Sequence, residues 1–203
     1  MIESTWGTIR PRLQEEGEEP EAKGQDLLVA RILKTRNVLI SGQINKALVE
    51  RVVRQLILLE DDSDDPIKVF IDSPGGDLDA GYAVFDMLRF VKPPVHAIGM
   101  GLVASAAAVV LLAADKDKRV GLPNSHYLIH QPLSGMRGVA TEIEIHAKEL
   151  EKARERINRL ISEETGQPYE KVVKDTDRDF WMNVEEAKGY GLVSRIVSKR
   201  EEL

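Results

Sequence analysis

Short apolar runs alternate with longer stretches of helical periodicity along most of this chain. The runs Leu39-Ile40, Ile67-Lys68-Val69-Phe70-Ile71, Ala97-Ile98 and Tyr127-Leu128-Ile129 are too short for helices and predict buried strands. Between them Leu48, Val52, Leu56 and Leu59, and then Tyr82, Phe85 and Leu88, recur at three- and four-residue spacing and predict amphipathic helices. Strand and helix in alternation mean an α/β fold. The longest predicted helix runs from about Thr141 to Thr165. Thr141 and Glu144 read as a capping-box pair, Gly166 and Pro168 as a stop, and Ile143, Ala147, Leu150, Ile157, Leu160 and Ile161 as one apolar stripe on a charged rod. A stripe of that kind packs either on the domain's own core or on another subunit. Before residue 23 the pattern collapses: the run Glu15-Glu16-Gly17-Glu18-Glu19-Pro20-Glu21 cannot bury enough apolar surface to offset its ordering entropy. The expectation is a mobile segment over residues 1–22 followed by one domain, 23–203.

Three polar residues stand in a meaningful order, each in a block that suits its role. Ser105 lies in Gly99-Met100-Gly101-Leu102-Val103-Ala104-Ser105-Ala106-Ala107-Ala108, read as a strand turning into a buried helix, where a lone hydroxyl needs a partner. His130 follows the strand Tyr127-Leu128-Ile129 and can take the serine's proton. Asp179, in Asp175-Thr176-Asp177-Arg178-Asp179, can hold the other imidazole nitrogen. Each alone reads better as a buried serine, a core histidine and a helix cap. Together they form a nucleophile, a base and an orienting acid. Acyl transfer also needs N–H donors for an oxyanion, and the pair Gly75-Gly76 after the strand 67–71 offers one, with the amide of Ala106 at a helix start as the second.

Charge and composition narrow the alternatives. A net charge of −6 with interleaved signs argues against nucleic acid and against an anionic membrane as partners. Residues 97–114 carry no charge, yet their Ala and Gly content and the interruption at Ser105 favour a buried strand and helix over a membrane span. With no cysteine there is no disulfide framework or thiolate metal site, which suits a cytoplasmic setting. The acidic run Asp61-Asp62-Ser63-Asp64-Asp65 lacks the glycine and distal glutamate of a calcium loop, and the chain contains no phosphate-loop or dinucleotide glycine signature. No metal or cofactor is expected. Of the other histidines, His146 reads as solvated or at an interface, and His96 and His126 have no supporting context.

In order and spacing, several blocks resemble the ClpP family, the proteolytic subunits of the Clp protease. They are Asp26-Leu27-Leu28, Leu39 to Ile44, Ser73-Pro74-Gly75-Gly76, Met100-Gly101 with Ala104-Ser105, Leu122 to Ser125, Ile129-His130-Gln131-Pro132, Ala140 to Ala147, and Glu185-Glu186-Ala187 with Tyr190-Gly191-Leu192-Val193. The resemblance implies a ClpP/crotonase-like fold of repeated β-β-α units with a long handle at about 134–165. It implies a serine endopeptidase with the triad Ser105, His130 and Asp179 and oxyanion donors at Gly76 and Ala106. It implies two stacked heptameric rings, contacts between them at Asp177 and Arg178, and a separate AAA+ unfoldase that uses ATP, delivers unfolded polypeptide and docks at Phe70 and Phe90. The chain departs from the family at several positions. Ala106 replaces a methionine and Asp77 a neutral residue, so a substrate pocket lined by Asp77, Leu78 and Ala106 is expected to be wider and more polar. Asp72 replaces an asparagine, Lys68 an aromatic of the docking surface, and Val139 a glutamine that answers Arg178. Two other readings stay open: a structural ring subunit that needs a catalytic paralogue, and a crotonase-type acyl-CoA enzyme.

Overall fold

A computed structural model describes residues 29 and 31–203; the segment 1–22, expected to be mobile, lies outside the described residues. Strand β1 (Asn37–Ser41) leads to helix α1 (Lys46–Asp62), then β2 (Ile67–Ser73), α2 (Leu78–Phe90), β3 (Val95–Ala104) and the short α3 (Ala106–Leu111). Strands β4 (Arg119–Gly121) and β5 (His126–Ile129) follow, then α4 (Ala140–Thr165), α5 (Tyr169–Asp175), β6 (Phe180–Asn183), α6 (Val184–Tyr190) and β7 (Arg195–Ile196). Five strands pair in parallel in the order β1-β2-β3-β4-β7.

The sheet's geometry follows from its residues. In β2 the side chains of Ile67, Val69, Ile71 and Ser73 are buried while Lys68, Phe70 and Asp72 are half-buried, the period-two alternation that puts one face on the core. On that face lie α1, held at its start by Asn45 accepting the Leu48 N–H at 3.0 Å, α2, and the fully buried α3. The opposite face is only partly covered, by a small cluster of Ile98, Val120 and Val197 with Phe70, Leu122 and Leu203 beside it.

Strand β3 changes partner along its length. Ala97, Ile98 and Gly99 pair with β4, whereas Leu102, Val103 and Ala104 pair with β5, which in turn pairs antiparallel with β6. The break falls at Gly101, whose φ of +54° suits glycine, and where the Asp72 carboxylate accepts the Leu102 N–H at 3.0 Å. A Cβ at Gly101 would come within 2.6 Å of that carboxylate. The uncharged stretch 97–114 is thus strand and buried helix, and among the described residues no helix is long and apolar enough to cross a membrane.

Helix α4 starts one residue earlier than expected and is capped differently. Val139 stands at the N-cap, Glu142 reaches back to the Val139 N–H at 3.3 Å, and Thr141 lies inside the first turn, so the pairing of Thr141 with Glu144 does not form. Its C-terminus falls where the sequence puts it, with Gly166 left-handed at φ +78°. Only the C-terminal part of the stripe is buried, at Ile157 and Ile161; Ile143 and Ile145 near the start are exposed. The end of α4 is tied down by Arg119, 1% exposed, which donates to the carbonyls of Ala114 (2.7 Å), Leu112 (3.1 Å) and Glu164 (2.9 Å) and pairs with the Glu164 carboxylate, which Arg89 also meets.

Candidate active site

Ser105 stands where β3 turns into α3, with φ +56° and ψ −122°. Those angles belong to the first central position of a type II′ turn, normally glycine's, and cost a serine about 1–3 kcal/mol. The surroundings hold it there. Its N–H donates to the Leu128 carbonyl at 2.9 Å, and its own carbonyl accepts from Ala108 at 2.9 Å. Gly75 presses against the same turn: a Cβ on Gly75 would come within 2.5 Å of the Ala104 carbonyl oxygen and 2.7 Å of the Ser105 Cβ. The paired glycines are therefore required by close approach of two backbones.

Three elements converge on this turn. Strand β5 ends at Ile129, which places His130 beside Ser105, and the segment between α5 and β6 brings up Asp179. His130 Nε2 lies 2.9 Å from Ser105 Oγ, and His130 Nδ1 lies 2.9 Å from Asp179 Oδ1. With the proton on Nδ1 the imidazole donates to the carboxylate and its Nε2 accepts from the serine hydroxyl. The imidazole is largely sheltered, whereas Asp179 is 60% exposed at its side chain.

The two expected oxyanion donors flank Ser105. The Gly75 N–H is bonded to Ser73 Oγ at 3.0 Å and its carbonyl accepts from Ile44 at 2.8 Å, but the N–H groups of Gly76 and Ala106 have no acceptor among the described residues. The Ala106 amide is unpaired because it opens a helix.

A groove of about 510 Å³ runs past Ser105 and His130. Pro74, Gly76, Asp77, Leu78 and Asp79 form one part of its lining, Ser105, Leu128 and His130 another, and Pro132, Leu133, Ser134 and the α4 residues His146, Glu149, Leu150, Ala153 and Ile157 the rest. Asp77 and Leu78 therefore lie where the pocket is expected. Asp77 has a second task, as N-cap of α2, accepting the Ala80 N–H at 2.7 Å. Ala106 is placed differently. It is buried against Gly81 of α2, where a Cβ on Gly81 would meet the Ala106 Cβ at 3.1 Å, and it is not part of the groove wall. The expected widening of the pocket at Ala106 is not seen, because its side chain faces the packed α2–α3 contact. His146, read as solvated or interfacial, lines this groove and bonds Ser134 Oγ through Nε2 at 2.8 Å. The apolar stripe of α4 passing Ile143 and Leu150 was the available signal for its proximity.

The remaining expected positions are separated from one another. Phe70 lines an apolar groove of about 430 Å³ on the open sheet face with Leu39, Leu122, Val197 and Leu203, while Phe90, 79% exposed at the end of α2, does not line it. Among the described residues of one chain the two phenylalanines form no common pocket. Asp177 pairs with Arg154 of α4 at 3.0 Å, and the exposed Arg178 donates to the Asp177 carbonyl at 3.0 Å.

Comparison with known proteins bears on the family and the fold. The model of the Clp protease family matches residues 20–200. The chain is 58% identical over 194 residues to the ATP-dependent Clp protease proteolytic subunit 2 of Treponema denticola, covering 94% of this chain and 97% of that one. It is 59% identical over 181 residues to the subunit of the same name from Treponema pallidum, covering 89% and 91%. Among solved structures, ClpP1 from Listeria monocytogenes superposes with a TM-score of 0.79 at 50% identity, covering 87% of this chain and 99% of that chain. A family match over most of the sequence, relatives above half identity and a shared fold lead to one conclusion: the chain belongs to the Clp protease family.

Proposed function

We propose that this chain is the serine endopeptidase subunit of a ring-shaped Clp protease, with Ser105 as nucleophile, His130 as general base and acid, and Asp179 as orienting acid. The observation that carries the reading is the continuous line Ser105–His130–Asp179, with 2.9 Å at each step. As Ser105 Oγ attacks a peptide carbonyl, His130 Nε2 takes its proton, and the N–H groups of Gly76 and Ala106 receive the developing oxyanion. The Asp179 carboxylate stabilises the imidazolium. That imidazolium then protonates the leaving amine, and a water molecule repeats the sequence to release the acyl group. The test is covalent labelling of Ser105 by a fluorophosphonate. Labelling of the parent and none of Ser105→Ala is expected; an unlabelled parent would refute the assignment.

The chain contains no nucleotide-binding signature, so unfolding of substrates falls to a separate ATP-dependent unfoldase of the Clp type. The apolar groove lined by Phe70, Leu39, Leu122 and Val197 suits an apolar side chain of that partner. Phe90 serves this docking only if a neighbouring subunit brings it alongside. The exposed apolar residues Leu133, Met136, Val139, Ile143 and Ile145, together with Asp177 and Arg178, are proposed as the contact between two stacked heptameric rings in the cytoplasm. A second reading is a mixed ring with a paralogous subunit. It is favoured by the number 2 in the names of the Treponema relatives, and native mass spectrometry of the complex isolated from its source cell tests it.

A further inference from the structure

Thr176 and Asn158 form a buried polar pair close to the triad, outside the reacting groups. Thr176 is fully buried and Asn158 is 1% exposed. Thr176 Oγ1 donates to Asn158 Oδ1 at 2.7 Å, and also lies 2.9 Å from the Val172 carbonyl in the preceding turn of α5. Asn158 belongs to α4. The backbone carbonyl of Thr176 accepts the N–H of Gln131, the residue after His130, at 2.6 Å. Beside it, the Asp177 carbonyl accepts from Gln131 Nε2 at 2.7 Å, and the Asp177 carboxylate meets Arg154, one turn before Asn158 on α4.

These contacts fasten two catalytic segments to one helix. The strand end carrying His130 is bonded to Thr176 and Asp177, and the chain continues from them through Arg178 into Asp179. Nothing else among these bonds fixes the height of that stretch relative to α4 from inside the protein: Arg154 and Asp177 meet at the surface, where an ion pair holds position weakly. The buried hydroxyl–amide bond is the firm point, because neither group has water as an alternative partner.

We propose that Thr176 and Asn158 are positioning residues, a buried bond that sets the placement of Asp179 and His130 against helix α4. It rests on the triad reading. Movement of α4, the helix proposed to carry the contact between rings, is then felt at the orienting acid through Thr176. Without the bond the stretch 176–179 keeps its backbone bond to Gln131 and the β5–β6 pairing that begins at Phe180, but it loses its buried side-chain tie to α4, so the placement of Asp179 and His130 against that helix is no longer fixed. Misplacement on the order of 1 Å at such a site costs roughly 10- to 100-fold in turnover.

The experiment compares Thr176→Val, which keeps the volume and removes the hydroxyl, with Thr176→Ser, which keeps the hydroxyl, in the full-length protein. Thr176→Val is expected to lower kcat on a short fluorogenic peptide roughly 10-fold or more with KM within about twofold, and Thr176→Ser to restore most of it. Asn158→Ala approaches the same bond from α4 and is expected to match Thr176→Val, which also keeps the test open should Thr176→Val fail to fold. Sedimentation and melting of each variant separate loss of assembly from loss of chemistry. The route is read by fluorophosphonate labelling rates in a double-mutant cycle: in an Asp179→Asn background Thr176→Val should cost little more. Unchanged kcat in folded, assembled Thr176→Val and Asn158→Ala, or a full additional loss on top of Asp179→Asn, would overturn the proposal. Labelling of the parent reports separately on the triad itself.

Discussion

Ser105 holds a backbone conformation that its own Cβ disfavours, and it does so because Gly75, Leu128 and Ala108 leave it no other. Two substitutions separate chemistry from strain. Ser105→Ala should lower peptidase turnover by ~10⁴-fold or more while keeping the strain, whereas Ser105→Gly should be as inactive yet about 1 kcal/mol more stable than Ser105→Ala. Activity assays with a denaturant titration of both variants check this, and equal midpoints would show the turn to be relaxed. Asp77 also joins two roles, as helix cap and as a charge on the groove. Asp77→Asn keeps a good capping acceptor and removes the charge. Its stability should stay within about 0.5 kcal/mol of the parent, while any preference for basic residues near the scissile bond, and the salt dependence of that preference, should fall. A peptide library read by mass spectrometry at two ionic strengths decides it. Ser105 and His130 were legible in the sequence because one interrupts and the other ends an apolar run, whereas Asp179, in a charged run, and Gly76, in a glycine pair after a strand, stood out only as partners for them. Thr176 and Asn158 were not legible. Their bond joins positions 18 apart across two helices, and neither residue looks unusual where it stands.

Helix α4 is the element where local pattern and tertiary context part company. Its apolar spacing correctly marked a stripe, but spacing does not say which length of the stripe finds a partner, and only the part around Ile157 and Ile161 is buried in the chain's own core. Val139 as cap was equally unreadable, because a residue with no side-chain acceptor leaves Glu142 alone to signal the start. What fixes the buried end is the carboxylate of Glu164 between Arg119 and Arg89, and an arginine 1% exposed has no solvent to fall back on. Glu164→Gln removes the countercharge and keeps the shape. It should destabilise the fold by about 3–5 kcal/mol, the usual cost of leaving one member of a buried ion pair uncompensated. The midpoint of guanidinium unfolding measures it, and a loss below about 1 kcal/mol would mean that the three carbonyls around Arg119 hold the charge unaided.

For the molecule as a whole, the exposed apolar edge of the first half of α4 predicts assembly. Ile145 is 59% exposed on a helix whose other end is firmly seated. Ile145→Lys should leave the monomer's fold intact and shift sedimentation towards single rings or smaller species; unchanged double rings would place the contact elsewhere. The α/β class was legible from alternating runs, but the change of partners along β3 was not, since after His96 the strand is an unbroken run of apolar and small residues whose two glycines do not say which of them ends one pairing. That change has a consequence during synthesis. Ser105 and His130 leave the ribosome well before Asp179, and the stretch carrying Asp179 reaches its place when Thr176 and Asp177 bond Gln131 and β6 closes antiparallel onto β5. A nascent chain therefore presents a serine and a histidine with no orienting acid. The order of translation itself keeps a peptide-cutting centre incomplete until the strands that must surround it have been made.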